Sequence, residues 1–336
     1  MMADIKKIGF AVLGCGHAGA RHARVVNASD GAKLTALADI LPREELGLTE
    51  FSTAFYSSLD EMLASATDTD AVIIATPNYL HAAHSIKCME AGKHVVIEKP
   101  LALTTSDANA ILSKSKDTGK QVFVVMQNRY APPIRWLKEL VTSGDLGNIY
   151  LAQLSCFWNR DQRYYQPGSW HGKKEKDGGT LFTQFSHFID ILYWLFGDIK
   201  NVNARTRNFG HSAMTDFEDS GVVQFDFANG GIGSLSFSTC VWDKNMESSL
   251  TVIAENGSIR IGGQYMNRID HCHIKDVPVN SLPISANDNS TYVQQNQEVL
   301  LQHILWQLQG RAANTIKGED GLKVVEIIEK IYASNN

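Results

Sequence analysis

The sequence has few cysteines, no long apolar run, no excess of positive charge, and no internal repeat or low-complexity segment. Its five cysteines (Cys15, Cys88, Cys156, Cys240 and Cys272) lie far apart without a CxxC pair. That argues against a disulfide-stapled secreted domain and for reduced, mostly buried thiols in a cytoplasmic protein. No stretch approaches the roughly 18 apolar residues of a membrane span. The opening MMADIKKIGFAVLGCG places two lysines before a short apolar run that glycines break, so no secretory leader is expected. A formal net charge of −5 gives no reason to expect nucleic acid or an anionic membrane as partner.

What is present is the make-up of a globular chain. Its 336 residues, 44% hydrophobic and 20% charged, suit two domains with substantial cores. Up to about residue 125, β-rich runs (Ile8–Leu13, Leu34–Asp39, Val72–Ala75, His94–Ile97, Val122–Val125) alternate with helical stretches near Ala18–Ala28, Arg43–Gly47, Ser58–Ala64, Tyr79–Ala91 and Ser106–Thr118. Continuously apolar runs such as AVII and HVVI belong to strands covered on both faces. The alternation predicts an α/β fold, a Rossmann-type doubly wound parallel sheet over residues 1–125. From residue 126 to 336 the pattern changes: a helix opened by Pro132-Pro133, a strand over Ile149–Phe157, an apolar helix over Thr180–Phe196, hairpins around ANGG, and a helical tail. This predicts an α+β second domain on an open, mainly antiparallel sheet.

Gly14, Gly16, His17, Ala18 and Gly19 form a GxGxxG that follows a strand and opens a helix, with Asp39 twenty residues beyond Gly19. The glycines permit a tight turn and close backbone approach, so a pyrophosphate can sit at the helix N-terminus. Asp39 can accept from both adenosine ribose hydroxyls and would repel a 2′-phosphate, which favours NAD over NADP. Thr76, Asn78 and His81 follow a strand at its carboxyl end, where open α/β sheets bind ligands. Glu98 and Lys99 end the next, and Gln127 follows the last; these too are expected at the cofactor.

For the chemistry, the residues alone leave Lys99 between a solvated loop cation and a cleft residue. His187, one turn before Asp190 on a helix apolar nearly all round, stands between a core residue and a catalytic one. Neither that pair nor His271 with His273 has a third ligand at metal-binding spacing, so no metal site is expected.

GxGxxG, ATPNYLHAAH, the lysine of EKP and GGTLFTQFSHFIDILYWLFG together resemble the Gfo/Idh/MocA oxidoreductase family over nearly the whole chain. The resemblance implies NAD(P)-dependent chemistry at a sugar or cyclitol carbon, Lys99 and His187 as the catalytic residues, and a homodimer or homotetramer formed through the open sheet. Many members carry aspartate where this chain has Thr183, followed by Gln184. The segment CFWNRDQRYYQPGSWHG is similar to that of the UDP-N-acetylglucosaminuronate 3-dehydrogenases of bacterial lipopolysaccharide sugar synthesis, implying a nucleotide-sugar substrate. Between Arg160 and Asp177 five basic residues face three acidic ones. Arg160 and Arg163 suit the oxyanions of such a substrate, and Tyr164, Tyr165 and Trp170 offer ring faces. Lys99, Thr183, Gln184 and His187 complete the expected substrate contacts.

Overall fold

The computed structural model describes residues 7–276, 289–311 and 316–335. Residues 1–6, the start of the segment expected to carry no secretory leader, lie outside them. The chain divides into two compact units: one holds the residues up to Met126 with Gln297–Leu322, the other Gln127–Asn296 with Lys323 onward.

The first unit is built on six parallel strands: β1 (Ile8–Leu13), β2 (Ala32–Ala38), β3 (Ala54–Tyr56), β4 (Ala71–Ile74), β5 (His94–Ile97) and β6 (Val122–Val124), in the order β3-β2-β1-β4-β5-β6. Phe10, Val12, Val72, Ile74, Val95, Ile97 and Phe123 are all fully buried, as strands with helices on both faces require. The order reverses between β1 and β4, which opens a crevice at the carboxyl ends of those strands. Residues 43–47 form turns, not the expected helix, and Gly47 at φ +63° ends the stretch after little more than one turn. The helix Asn289–Leu308 enters this unit from Gln297, although the sequence reading places the whole tail with the second domain. Leu300, Leu301 and Ile304 line a small cavity with Val25, Val26 and Ile73, giving that stretch an apolar surface to cover.

The second unit holds seven strands: β7 (Ile149–Phe157), β8 (Ile199–Arg207), β9 (Ser220–Phe227), β10 (Ile232–Ser238), β11 (Glu247–Ala254), β12 (Gly257–Gly262) and β13 (Arg268–Ile274). Their order is β13-β12-β11-β7-β10-β9-β8, antiparallel except for β7 beside β10. Burial alternates along β9 and β10, so one sheet face is covered and the other open. The aromatic core includes Phe185 and Phe188 edge-on to Trp158, and Phe185 beside Phe237.

Candidate functional site

In the first unit the glycine turn meets the ends of β2 and β4. Gly14 adopts φ +83°, and a Cβ there would come within 2.7 Å of the Ala75 and Thr76 backbone, so only glycine fits. At Gly16 an added Cβ would meet nothing within 4 Å, so its outer side is open where a pyrophosphate must approach. Gly16 caps the helix His17–Ala28 without a side-chain bond, which leaves the first N–H groups to an anionic ligand. His17 is held neutral, its pKa lowered by burial and then by Arg21 and Arg24. Asp39 Oδ2 accepts from Cys15 N at 2.6 Å, which ties the carboxylate to the turn. These residues fit a bound NAD: an open glycine cradle, a free helix end and an acidic residue closing β2.

Behind the crevice stands His81, 1% exposed, with Nδ1 2.7 Å from Pro100 O and Nε2 2.9 Å from Thr76 O. Burial lowers its pKa, and a neutral ring donates to one of these carbonyls at a time. Its place is that of a strut between the loops after β4 and β5. Thr76 Oγ1 lies 3.1 Å from His84 Nδ1, and Asn78 is buried in the turn between them. Glu98 Oε1 pairs with His22 Nε2 at 2.7 Å, while Oε2 accepts from Lys99 N at 3.2 Å. Lys99 is half-buried and joined to Pro100 by a cis peptide.

Gln127 belongs to the second unit, where its Nε2 lies 3.5 Å from His187 Nε2. His187 sits on the helix Ser186–Phe196, entered through a π-helical turn, Leu181–Phe185. Gly179 makes that entry possible, since a Cβ there would strike Tyr332 Oη. Asp190 is taken by Arg129, whose Nε and Nη2 donate to its two oxygens at 2.8 and 2.5 Å, with both side chains buried. A pair separated by 61 residues leaves no local sequence signal for Arg129. Thr183 Oγ1 donates to Asp177 O at 2.8 Å and also contacts Asp177 Oδ1, so a buried carboxylate lies behind this hydroxyl.

Gln184 reaches the aromatic loop: its Oε1 accepts from Arg160 Nε at 2.6 Å, and its Nε2 donates to Tyr164 Oη at 2.8 Å. The Arg160 guanidinium lies between the rings of Trp158 and Tyr164, 4.9 and 5.1 Å from their centroids. Arg163 stands differently. It is exposed, and it donates to Asp161 Oδ1 and Oδ2 at 3.0 and 2.7 Å, which holds that carboxyl down to about 2. Tyr165 is buried against His211, and Trp170 stacks on His171 with ring centroids 3.9 Å apart.

Residues 8–126 match the oxidoreductase family with an NAD-binding Rossmann fold, and residues 134–260 match the GFO/IDH/MocA C-terminal domain. The WlbA dehydrogenase of Chromobacterium violaceum, solved with NADH and UDP-GlcNAcA, is 32% identical with a TM-score of 0.88, over 99% of this chain and 94% of that one. The Bordetella pertussis WlbA dehydrogenase, in complex with the same two molecules, is 30% identical with a TM-score of 0.87, over 98% and 96%. The 2,7-anhydro-N-acetylneuraminate hydratase of Escherichia coli K12 is 30% identical, over 79% of this chain and 73% of that protein.

Proposed function

The chain belongs to the Gfo/Idh/MocA oxidoreductase family and is an NAD-dependent oxidoreductase, and from that premise we propose that it oxidises carbon 3 of UDP-N-acetylglucosaminuronic acid in bacterial surface polysaccharide synthesis. The observation that carries this reading is Arg160, a cation held between two rings and anchored by Gln184, three residues before His187. A fixed guanidinium suits a diphosphate or carboxylate, because little of its freedom remains to be lost on binding. Similarity to two enzymes solved with UDP-GlcNAcA supports the same substrate. The hydratase relative favours a second reading, a free sugar as substrate, in which Arg160 serves only to hold its loop.

In the mechanism, His187 takes the proton of the sugar hydroxyl and Lys99 stabilises the alkoxide charge that develops. Gln127, 3.5 Å from His187 Nε2, orients the imidazole, and the Arg129–Asp190 pair anchors the helix that carries it. NAD supplies the hydride acceptor. The five cysteines are unpaired and no helix among the described residues is long and apolar enough to cross a membrane, which supports a cytoplasmic place.

The test has a chemical arm and a binding arm. Lys99→Met and His187→Ala should each lower NADH formation from the UDP-sugar acid by roughly a hundredfold or more, the range for a positioned acid or base. By calorimetry with NAD bound, the UDP-sugar acid should bind more tightly than UDP-N-acetylglucosamine or free glucuronate. Arg160→Ala should weaken it about ten- to a hundredfold, as the loss of a charged hydrogen bond does. Arg163→Ala should cost little, since its charge is already matched by Asp161 and Asp243. A UDP-sugar acid that binds no better than the free sugar sinks the substrate assignment and leaves the second reading.

A further inference from the structure

One cluster in the second unit, beside the aromatic loop but made of residues assigned no role above, brings together three metal-ligating side chains. His211 Nδ1 lies 3.2 Å from Asp219 Oδ2 and 3.7 Å from Cys240 Sγ, and one ligand atom of each residue falls within 4.8 Å of the others. His211 and Asp219 are buried, whereas Cys240 is exposed just beyond β10, so the cluster has one side open to solvent. The carboxylate is fixed in place, since Oδ2 accepts from the N–H groups of Phe209 and Gly210 at 2.9 and 2.7 Å. Its other oxygen, Oδ1, is buried and meets no hydrogen-bond partner among the described residues. An acceptor buried without a donor is costly, and native chains seldom keep one without a ligand or a purpose.

One imidazole, one thiolate and one carboxylate make the mixed donor set that zinc favours, with a fourth position left for water on the open side. Two of the three donors are anionic when bound, so a divalent cation leaves the cluster neutral. We propose that His211 Nδ1, the Asp219 carboxylate and Cys240 Sγ bind one thiophilic divalent cation of the zinc class. On binding, the Cys240 thiol gives its proton to solvent and His211 coordinates as the neutral Nε2–H tautomer, so one proton is released per cation.

The surroundings give the cation a role in holding structure. Thr239 O, one residue before Cys240, accepts from Arg160 N at 2.9 Å. Asn159 and Cys240 form a β-bridge, and the Tyr165 ring packs 5.5 Å from that of His211. A bound cation therefore ties the chain between β8 and β9 to the end of β10, directly beneath the segment carrying Arg160 and Tyr165. Only this last role rests on the substrate reading; the metal site does not.

The test is a zinc titration of the chelator-treated full chain, with no substrate present, in competition with a chromophoric chelator. One equivalent of Zn2+ should bind, and zinc should raise the thermal midpoint. Cys240→Ser and His211→Ala should each weaken binding at least about a hundredfold, because outer-sphere changes alone cost up to that much. Co2+ added to the unaltered chain should give a thiolate-to-cobalt charge-transfer band, which reports on Cys240 without any substitution. His271→Ala, on the exposed face of β13, should leave binding unchanged. Failure to bind one equivalent, absence of the cobalt band, binding that survives Cys240→Ser, or binding lost with His271→Ala would each overturn the proposal.

Discussion

Asp39 closes β2 with each carboxylate oxygen accepting a backbone N–H, Oδ2 from Cys15 and Oδ1 from Leu41. A ribose diol can share these oxygens, whereas a 2′-phosphate would meet a fixed negative charge. Catalytic efficiency should therefore favour NAD over NADP by at least about tenfold, and Asp39→Ala should narrow that ratio. The same change should raise the KM for NAD, since it also unties the glycine turn; equal use of both cofactors by the unaltered chain would defeat the assignment. Glu218 offers a residue-scale test of stability. It is half-buried, accepting from Tyr332 Oη and Thr180 N at 2.6 and 3.1 Å, and desolvation pushes its carboxyl up to about 7. A raised folded pKa means that the folded state holds the proton more tightly than the unfolded one. The stabilisation is thus full below the unfolded value near 4.5 and is lost as pH rises towards 7. Denaturant midpoints should fall over that window in the unaltered chain, and Glu218→Gln should flatten the fall. Asp39 was legible in the sequence because its spacing from the glycines is a local rule. Glu218 was not, because its environment comes from Tyr332, 114 residues away.

The helix Ser186–Phe196 and the π-helical turn before it place His187, Gln184 and Thr183 at one entry. Its apolar sequence predicts a buried helix, and nine of its eleven residues are buried, which leaves little surface to set its orientation by charge. The Arg129–Asp190 pair does that, and Arg129 also lies over the Trp194 ring. Arg129→Ala removes the buried cation that answers the buried Asp190 carboxylate, so urea unfolding should show a loss of about 3–5 kcal/mol. Arg129→Met with Asp190→Leu, which removes both charges, should recover much of it. A loss below about 1 kcal/mol, typical of exposed pairs, would mean that the pair does not anchor the helix. Sequence periodicity identified the helix; it gave no sign of the π-helical turn, which depends on Tyr332 pressing against Gly179.

Across the whole molecule, the open face of the second unit's sheet carries Val222, Gln224, Leu151, Gln153, Ser155, Ile232, Ser234, Thr251 and Ile253 in register, with Arg205, Asp226 and Arg260 beside them on the same face. Val222 and Ile232 are 53% and 55% exposed in the single chain. A half-apolar face with charges of both signs at its edges suits contact with a second copy. Light scattering should give a dimer or tetramer, and Val222→Asp with Ile232→Lys should shift it towards monomer; a monomeric unaltered chain would end that reading. By itself the sequence determined the two fold types, NAD as the cofactor and the contact of the GxGxxG turn with Asp39. Each of those depends on periods and spacings within about thirty residues, where local sterics and hydrogen bonding decide the outcome. Tertiary structure alone decided that Arg160 is a fixed cation while Arg163 is paired off, that Asp190 answers Arg129, that Asp177 stands behind Thr183, and that His211, Asp219 and Cys240 meet. Except for the short hops from Thr183 to Asp177 and from Arg163 to Asp161, these contacts join different elements or the two ends of a folded loop. The buried ones draw their energy from burial and low local dielectric, which exist only once the core has closed.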